Sequence, residues 1–120
     1  MLAQPAGKET LMSLQVQNVA LDAIAALRPL MPLIRRSDRS LADQLSRAAS
    51  SVVLNIAEGA YSDPGNRRAR YFSAAGSANE ARAALRVAVT WGHVDAARAS
   101  SAEQLLDRVV AMLWRMTRGR

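Results

Sequence analysis

Apolar residues recur along most of this chain at three- and four-residue intervals, the spacing of a helix face rather than of a strand. From about Lys8 to Arg28, Leu11, Leu14, Leu21 and Ile24, joined by Val16, Ala20 and Leu27, predict a first helix. Pro29 and Pro32 end it, because each lacks an N–H and crowds the preceding turn. Ile34 to Arg39 then reads as a polar connection containing Arg35, Arg36 and Arg39. A second helix is expected from Ser40, a hydroxyl suited to the N-cap, with Asp43 in the first turn where the helix dipole favours an acid. Its stripe is Leu41, Leu45, Ala48, Val52 and Ile56, and Gly59 stands where a left-handed C-terminal residue is wanted.

Asp63 followed by Pro64 is a capping residue and then proline at the first helical position. A third helix therefore runs to about Trp91 and stops at Gly92. Gly76 inside it costs about 1 kcal/mol against alanine, which suggests that another helix crosses there. A fourth helix starts between Asp95 and Ser101 and reaches about Thr117, burying Ala102, Leu105, Val109, Met112, Leu113 and Met116. Four helices with short connections predict an all-α, antiparallel up-down four-helix bundle. The expected organisation is a disordered segment over residues 1–7 and a single domain over 8–118.

Composition sharpens this picture in two ways. Aromatic residues make up only 4% of the 120 residues, so the core is built from aliphatic and alanine side chains, which suit closely spaced helices. No cysteine is present, which excludes disulfides and thiolate metal sites. No apolar run is long enough to span a bilayer and no signal-peptide pattern opens the chain, so a cytoplasmic protein is expected.

The polar positions within the helices are not random. Arg47, Ser51, Asn55 and Glu58 share one face of the second helix, and Ser73, Ser77, Glu80 and Ala84 share one face of the third. Antiparallel packing would bring Asn55 and Glu58 near Ser73 and Ser77. Such a seam sets helix register, since slippage leaves buried donors and acceptors unpaired. The alternative, Glu58 and Glu80 as a carboxylate pair for acid–base or metal chemistry, lacks the Glu-x-x-His pairs of di-metal bundles. The lone His93 follows Gly92 in an expected turn, where a surface or capping role fits. No catalytic residue, metal site or cofactor is assigned.

Charge points to binding. The formal net charge is +6, and all 16 basic residues except Lys8 are arginine. Guanidinium groups pair with phosphate in two places at once and stack on bases, although a GC-rich genome enriches arginine without any functional demand. The arginines group as Arg35, Arg36 and Arg39; as Arg67, Arg68 and Arg70; and as Arg115, Arg118 and Arg120, with Arg82 and Arg86 sharing a face of the third helix. Arg67, Arg68 and Arg70 oppose the helix dipole at a helix start, a placement that favours a functional use. The expected nucleic-acid contacts are Arg35, Arg36, Arg39, Arg67, Arg68, Arg70, Arg82 and Arg86, directed at phosphates because helix-turn-helix spacing is absent. Trp91 and Trp114 read as core or subunit-contact anchors. Leu106, Val110 and Val53 fall off the main stripes, which leaves apolar area for self-assembly.

Two sequence blocks carry a resemblance. Gln44 to Val52 followed by Asn55-Ile56-Ala57-Glu58-Gly59, and then Gly76-Ser77-Ala78-Asn79-Glu80, resemble the four-helix-bundle family of 23S rRNA intervening-sequence proteins over about Leu41 to Val94. That family includes the accessory variability proteins of diversity-generating retroelements. The resemblance implies a ring-like homo-oligomer, a pentamer, with a basic surface. For the retroelement members it also implies a non-catalytic partner of nucleic acid, RNA or DNA, and of a reverse transcriptase. The rival expectation is a scaffold of the same fold whose basic face binds an acidic protein.

Overall fold

The computed structural model describes residues 7–118, with the side chains of Lys8, Glu9 and Thr10 excepted. The expected disordered segment thus lies, but for Gly7, outside the described residues. Five helices follow one another: α1 (Gly7–Leu27), α2 (Met31–Ser37), α3 (Arg39–Ala60), α4 (Pro64–Trp91) and α5 (Ala96–Arg118). No strand occurs among the described residues. The expected count of four is therefore corrected by α2. Pro29 does end α1, but Pro32 falls in the first turn of α2, where its missing N–H costs nothing. Leu30 and Ile34, one turn apart and both buried, cap the end of the core. Arg35 and Arg36 occupy the last turn of α2, where cations complement the dipole.

Asp38 separates α2 from α3 with an extended backbone at φ −155° and accepts a hydrogen bond from the Leu41 N–H at 3.0 Å. Asp38 is therefore the N-cap expected at Ser40. Asp43 lies beyond the first turn and pairs with Arg35 at 3.3 Å instead. At α4 the local signals hold. The Asp63 carboxylate accepts from the Asn66 N–H at 3.0 Å. At the far end Gly92, at φ 82°, lets the His93 N–H reach the Ala88 carbonyl at 2.9 Å while its own N–H reaches Val89.

Contacts of side chains fix the directions. Arg82 meets Asp107 and Arg86 meets Glu103, so α4 and α5 run antiparallel. Ser51 meets Ser77 while Glu58 meets Arg70, so α3 and α4 do as well. α1 packs between α3 and α5, and α2 lies on α3. The result is an elongated body of 48 × 21 × 20 Å. One apolar cluster, around Leu27, Ile34, Leu45, Leu85 and Leu106, fills the α2 end. A second, around Val16, Val52, Ile56, Tyr71, Val109 and Leu113, fills the other. Most buried positions of α4 are alanines, from Ala74 to Ala88, so its neighbours approach closely.

Four expectations about faces are corrected. Gly59 lies inside α3 and is buried; a Cβ there would sit 2.7 Å from the Tyr71 ring, so close approach rather than backbone freedom requires glycine. Gly76 is exposed with nothing within 4 Å of a Cβ position, so no helix among the described residues crosses it. Leu11, Leu14 and Leu21 are 57%, 52% and 45% exposed, whereas Val16, Val19, Ala20, Ala23 and Leu27 are buried. The leucines that best define the period of α1 thus face outward. Leu106 and Val110, by contrast, are buried, and Val53 packs partly against the core.

Candidate nucleic-acid interface

The antiparallel order decides which arginines meet. Arg35, Arg36 and Arg39 sit at the α2 end, while the start of α4 and the finish of α5 share the opposite end. Arg67, Arg68, Arg70, Arg115 and Arg118 therefore gather at one end of the body, against Glu58 and Asp63 among the described side chains there. Arg120 lies outside the described residues.

The predicted contacts fall into two sets. Arg35, Arg70, Arg82 and Arg86 hold carboxylates: Asp43 at 3.3 Å, Glu58 at 2.9 Å, Asp107 at 3.1 Å and Glu103 at 3.0 Å. Such exposed pairs add about 0–1 kcal/mol each to stability, but they neutralise the cation locally. Arg36, Arg39 and Arg68 are exposed and make no ion pair among the described residues. The Arg68 guanidinium lies 5.7 Å from the centre of the Phe72 ring. Arg67 is half-buried and donates from Nη2 to the Ser62 carbonyl at 3.0 Å, which orients it across the turn before α4.

The polar seam forms around Ser51, Ser77 and Asn55. Asn55 Nδ2 donates to the Ser51 carbonyl at 2.9 Å and to Ser51 Oγ at 3.0 Å. Ser51 Oγ lies 2.9 Å from Ser77 Oγ across the helix contact. Arg70 Nη1 donates to Asn55 Oδ1 at 3.3 Å and also reaches Glu58, which ties the seam to the basic end. Arg47 lines the same shallow groove with Ser46, Ser50 and Leu54. Glu80 and Ser73 are exposed and stand outside this hydrogen-bonded network. With Ser51 level with Ser77, Glu58 and Glu80 diverge along the axis by roughly 15 Å at 1.5 Å per residue. Among the described residues no cluster of three metal-ligating side chains occurs.

One carboxylate at the basic end has a shifted titration. The backbone N–H and then the side chain of Asn66 hydrogen-bond Asp63 and hold its carboxyl below the ordinary value of 3.8, with the Arg67 charge adding to the effect.

Neither tryptophan belongs to the core: Trp91 is 72% exposed and Trp114 40%. Trp114 instead meets Phe72 edge to face, with ring centres 6.2 Å apart and an 86° interplanar angle. Arg115 and Arg118 line a depression beside it with Ala111. The sequence reading left Phe72 unassigned and did not join α5's arginines to those of α4. The available signal was the four-residue spacing of Arg68 with Phe72 and of Trp114 with Arg118, together with a topology that makes those turns neighbours.

These features define an all-helical protein with a basic end and no membrane-spanning helix among the described residues. The chain belongs to the 23S rRNA-intervening sequence protein family, whose sequence model matches residues 12–115. It is similar in fold to a crystal structure of a protein of unknown function from the S23 ribosomal protein family of Bacteroides thetaiotaomicron. The TM-score is 0.76 at 16% identity, over 85% of this chain and 97% of that one. No curated protein matches the chain.

Proposed function

We propose that this protein is a non-catalytic, homo-oligomeric accessory protein that binds nucleic acid through its arginine-rich end. The observation that carries the reading is the gathering of Arg67, Arg68, Arg70, Arg115 and Arg118 from two helices at one end, against Glu58 and Asp63 among the described side chains. A concentration of guanidinium groups of this kind attracts a polyanion and releases its counterions. Arg68, Arg115 and Arg118 supply the main phosphate contacts, because Arg70 is engaged by Glu58.

Self-association is supported by the outer face of α1. Leu11, Leu14, Asn18, Leu21 and Ala25 are exposed and follow one another at intervals of three, four, three and four, the repeat of a helix–helix seam. An asparagine within such a stripe sets register and oligomer number at a cost in stability. The family resemblance supports reading that assembly as a ring of five, with a reverse transcriptase as partner if the chain is a retroelement member.

Binding of RNA and of DNA to the purified protein over a salt series tests the reading. Affinity falls steeply with salt, and the triple change of Arg68, Arg115 and Arg118 to alanine flattens the log–log slope by about 2–3. Absence of binding at low salt, or a slope indifferent to those changes, refutes it. Light scattering tests the assembly: a monomer at micromolar concentration counts against it, and Leu14→Glu with Leu21→Glu reduces the mass.

A further inference from the structure

We infer that Trp114 and Phe72 form a base-stacking platform for single-stranded nucleic acid at the basic end. The inference rests on the nucleic-acid reading above and adds what that reading lacks, a site for bases. The rings of Trp114 and Phe72 are 40% and 43% exposed, while their chain neighbours Leu113 and Tyr71 are buried in the core beside them. The two rings hold each other at right angles, so the ring that offers its edge keeps both of its faces clear of the partner. A base meets a ring whose orientation is already set, which lowers the ordering cost of binding.

The surroundings match the ligand. Arg68 lies over Phe72, and Arg115 and Arg118 flank Trp114, so guanidinium groups border the rings on both helices. Bases stack on aromatic faces while the cations take the phosphates. The positions one turn away on the same surface are small: Gly76 beyond Phe72, where nothing lies within 4 Å of a Cβ, and Ala111 before Trp114. The rings therefore project from their helices with open space beside them, and an exposed glycine in mid-helix acquires a reason. No carboxylate lies within one turn of either aromatic on its own helix. Complementing the α5 dipole accounts for Arg115 and Arg118, but it leaves the aromatic pair unexplained. Single strands are selected because a duplex keeps its base faces stacked inside.

Trp91→Phe leaves Trp114 as the sole tryptophan and a direct fluorescence reporter. This variant is titrated with an oligothymidylate of about twelve nucleotides, with a matched duplex, and with inorganic polyphosphate as a polyanion without bases. Quenching of Trp114 by the single strand, and not by polyphosphate, is expected. In the same background Trp114→Leu weakens single-strand binding roughly tenfold to a hundredfold. Trp114→Phe restores most of it, and neither change alters polyphosphate binding. Binding without quenching, or an effect of Trp114→Leu below twofold, overturns the platform while leaving the phosphate contacts standing. If Trp114→Leu instead shrinks the assembly in light scattering, the ring is a subunit contact and the inference falls. If no polyanion binds at low salt, both readings fall together.

Discussion

Exchanging glycine for alanine inside a helix ordinarily gains about 1 kcal/mol, because a Cβ restricts the unfolded backbone and favours the helix. Gly76 meets that case. Nothing lies within 4 Å of its Cβ position, so Gly76→Ala gains close to the full amount. Gly59 does not. Its added Cβ would stand 2.7 Å and 3.0 Å from two atoms of the Tyr71 ring and 3.2 Å from Arg70 Cβ. Tyr71 is only 4% exposed and belongs to the second apolar cluster, with Ile56 and Val109, so its ring cannot swing aside as a surface side chain would. Forcing a methyl into such a contact costs about 1–3 kcal/mol, and the helix gain is reduced this close to the end of α3. The net effect of Gly59→Ala is a loss of about 1–2 kcal/mol. For a chain of this size the corresponding changes in Tm are about +4 °C for Gly76→Ala and −4 to −8 °C for Gly59→Ala. Thermal melts followed by circular dichroism at equal protein concentration measure both, the fixed concentration being needed because assembly itself raises Tm. A Gly59→Ala protein as stable as its parent would refute the reasoning, since it would mean that α3 and α4 separate there at no cost.

Three further outcomes follow from single contacts. The Asp63 carboxyl is held below its ordinary value of 3.8, so its stabilising contribution is complete above that pH and disappears as pH falls through the lowered folded value. Asp63→Asn keeps the backbone cap without the charge, so it lowers the Tm modestly at pH 7 and flattens the acid limb of Tm against pH; an unchanged acid limb would show that other groups control it. The Tyr71 hydroxyl is buried with no hydrogen-bond partner among the described residues, so Tyr71→Phe raises stability by about 1 kcal/mol, and a lower Tm would reveal a partner. Arg82→Ala and Arg86→Ala, which release Asp107 and Glu103, cost at most about 1 kcal/mol each. They also change nucleic-acid affinity less than Arg68→Ala does, and the reverse ranking in a binding titration would move the interface to mid-bundle.

The helices were legible because their signals are local. Asp63-Pro64 starts α4 and Gly92 ends it through bonds that reach at most five residues, and Pro29 stops α1 by its own chemistry. The basic character was equally plain, since charge is a sum over residues. Local signals failed where two choices were close: Asp38 and Ser40 are both good caps, and Leu30 with Ile34 made a helical turn out of an apparent connection. What each helix buries was decided only by the tertiary structure. α1 carries two apolar stripes, and its own period does not say that Val16 and Ala23 go inward while Leu14 and Leu21 stay out. Gly59 looked like a terminus because the Tyr71 ring that requires a glycine comes from another helix. The candidate site was divided in the same way. Its arginines stand in plain view along the chain, but their free or engaged state depends on carboxylates 8 to 25 residues away, among them Asp43 and Asp107. The pairing of Phe72 with Trp114 spans still more of the chain. Such pairings arise when helices pack, because burial and charge neutralisation are set by neighbours in space, and a helix period specifies only neighbours on the same helix.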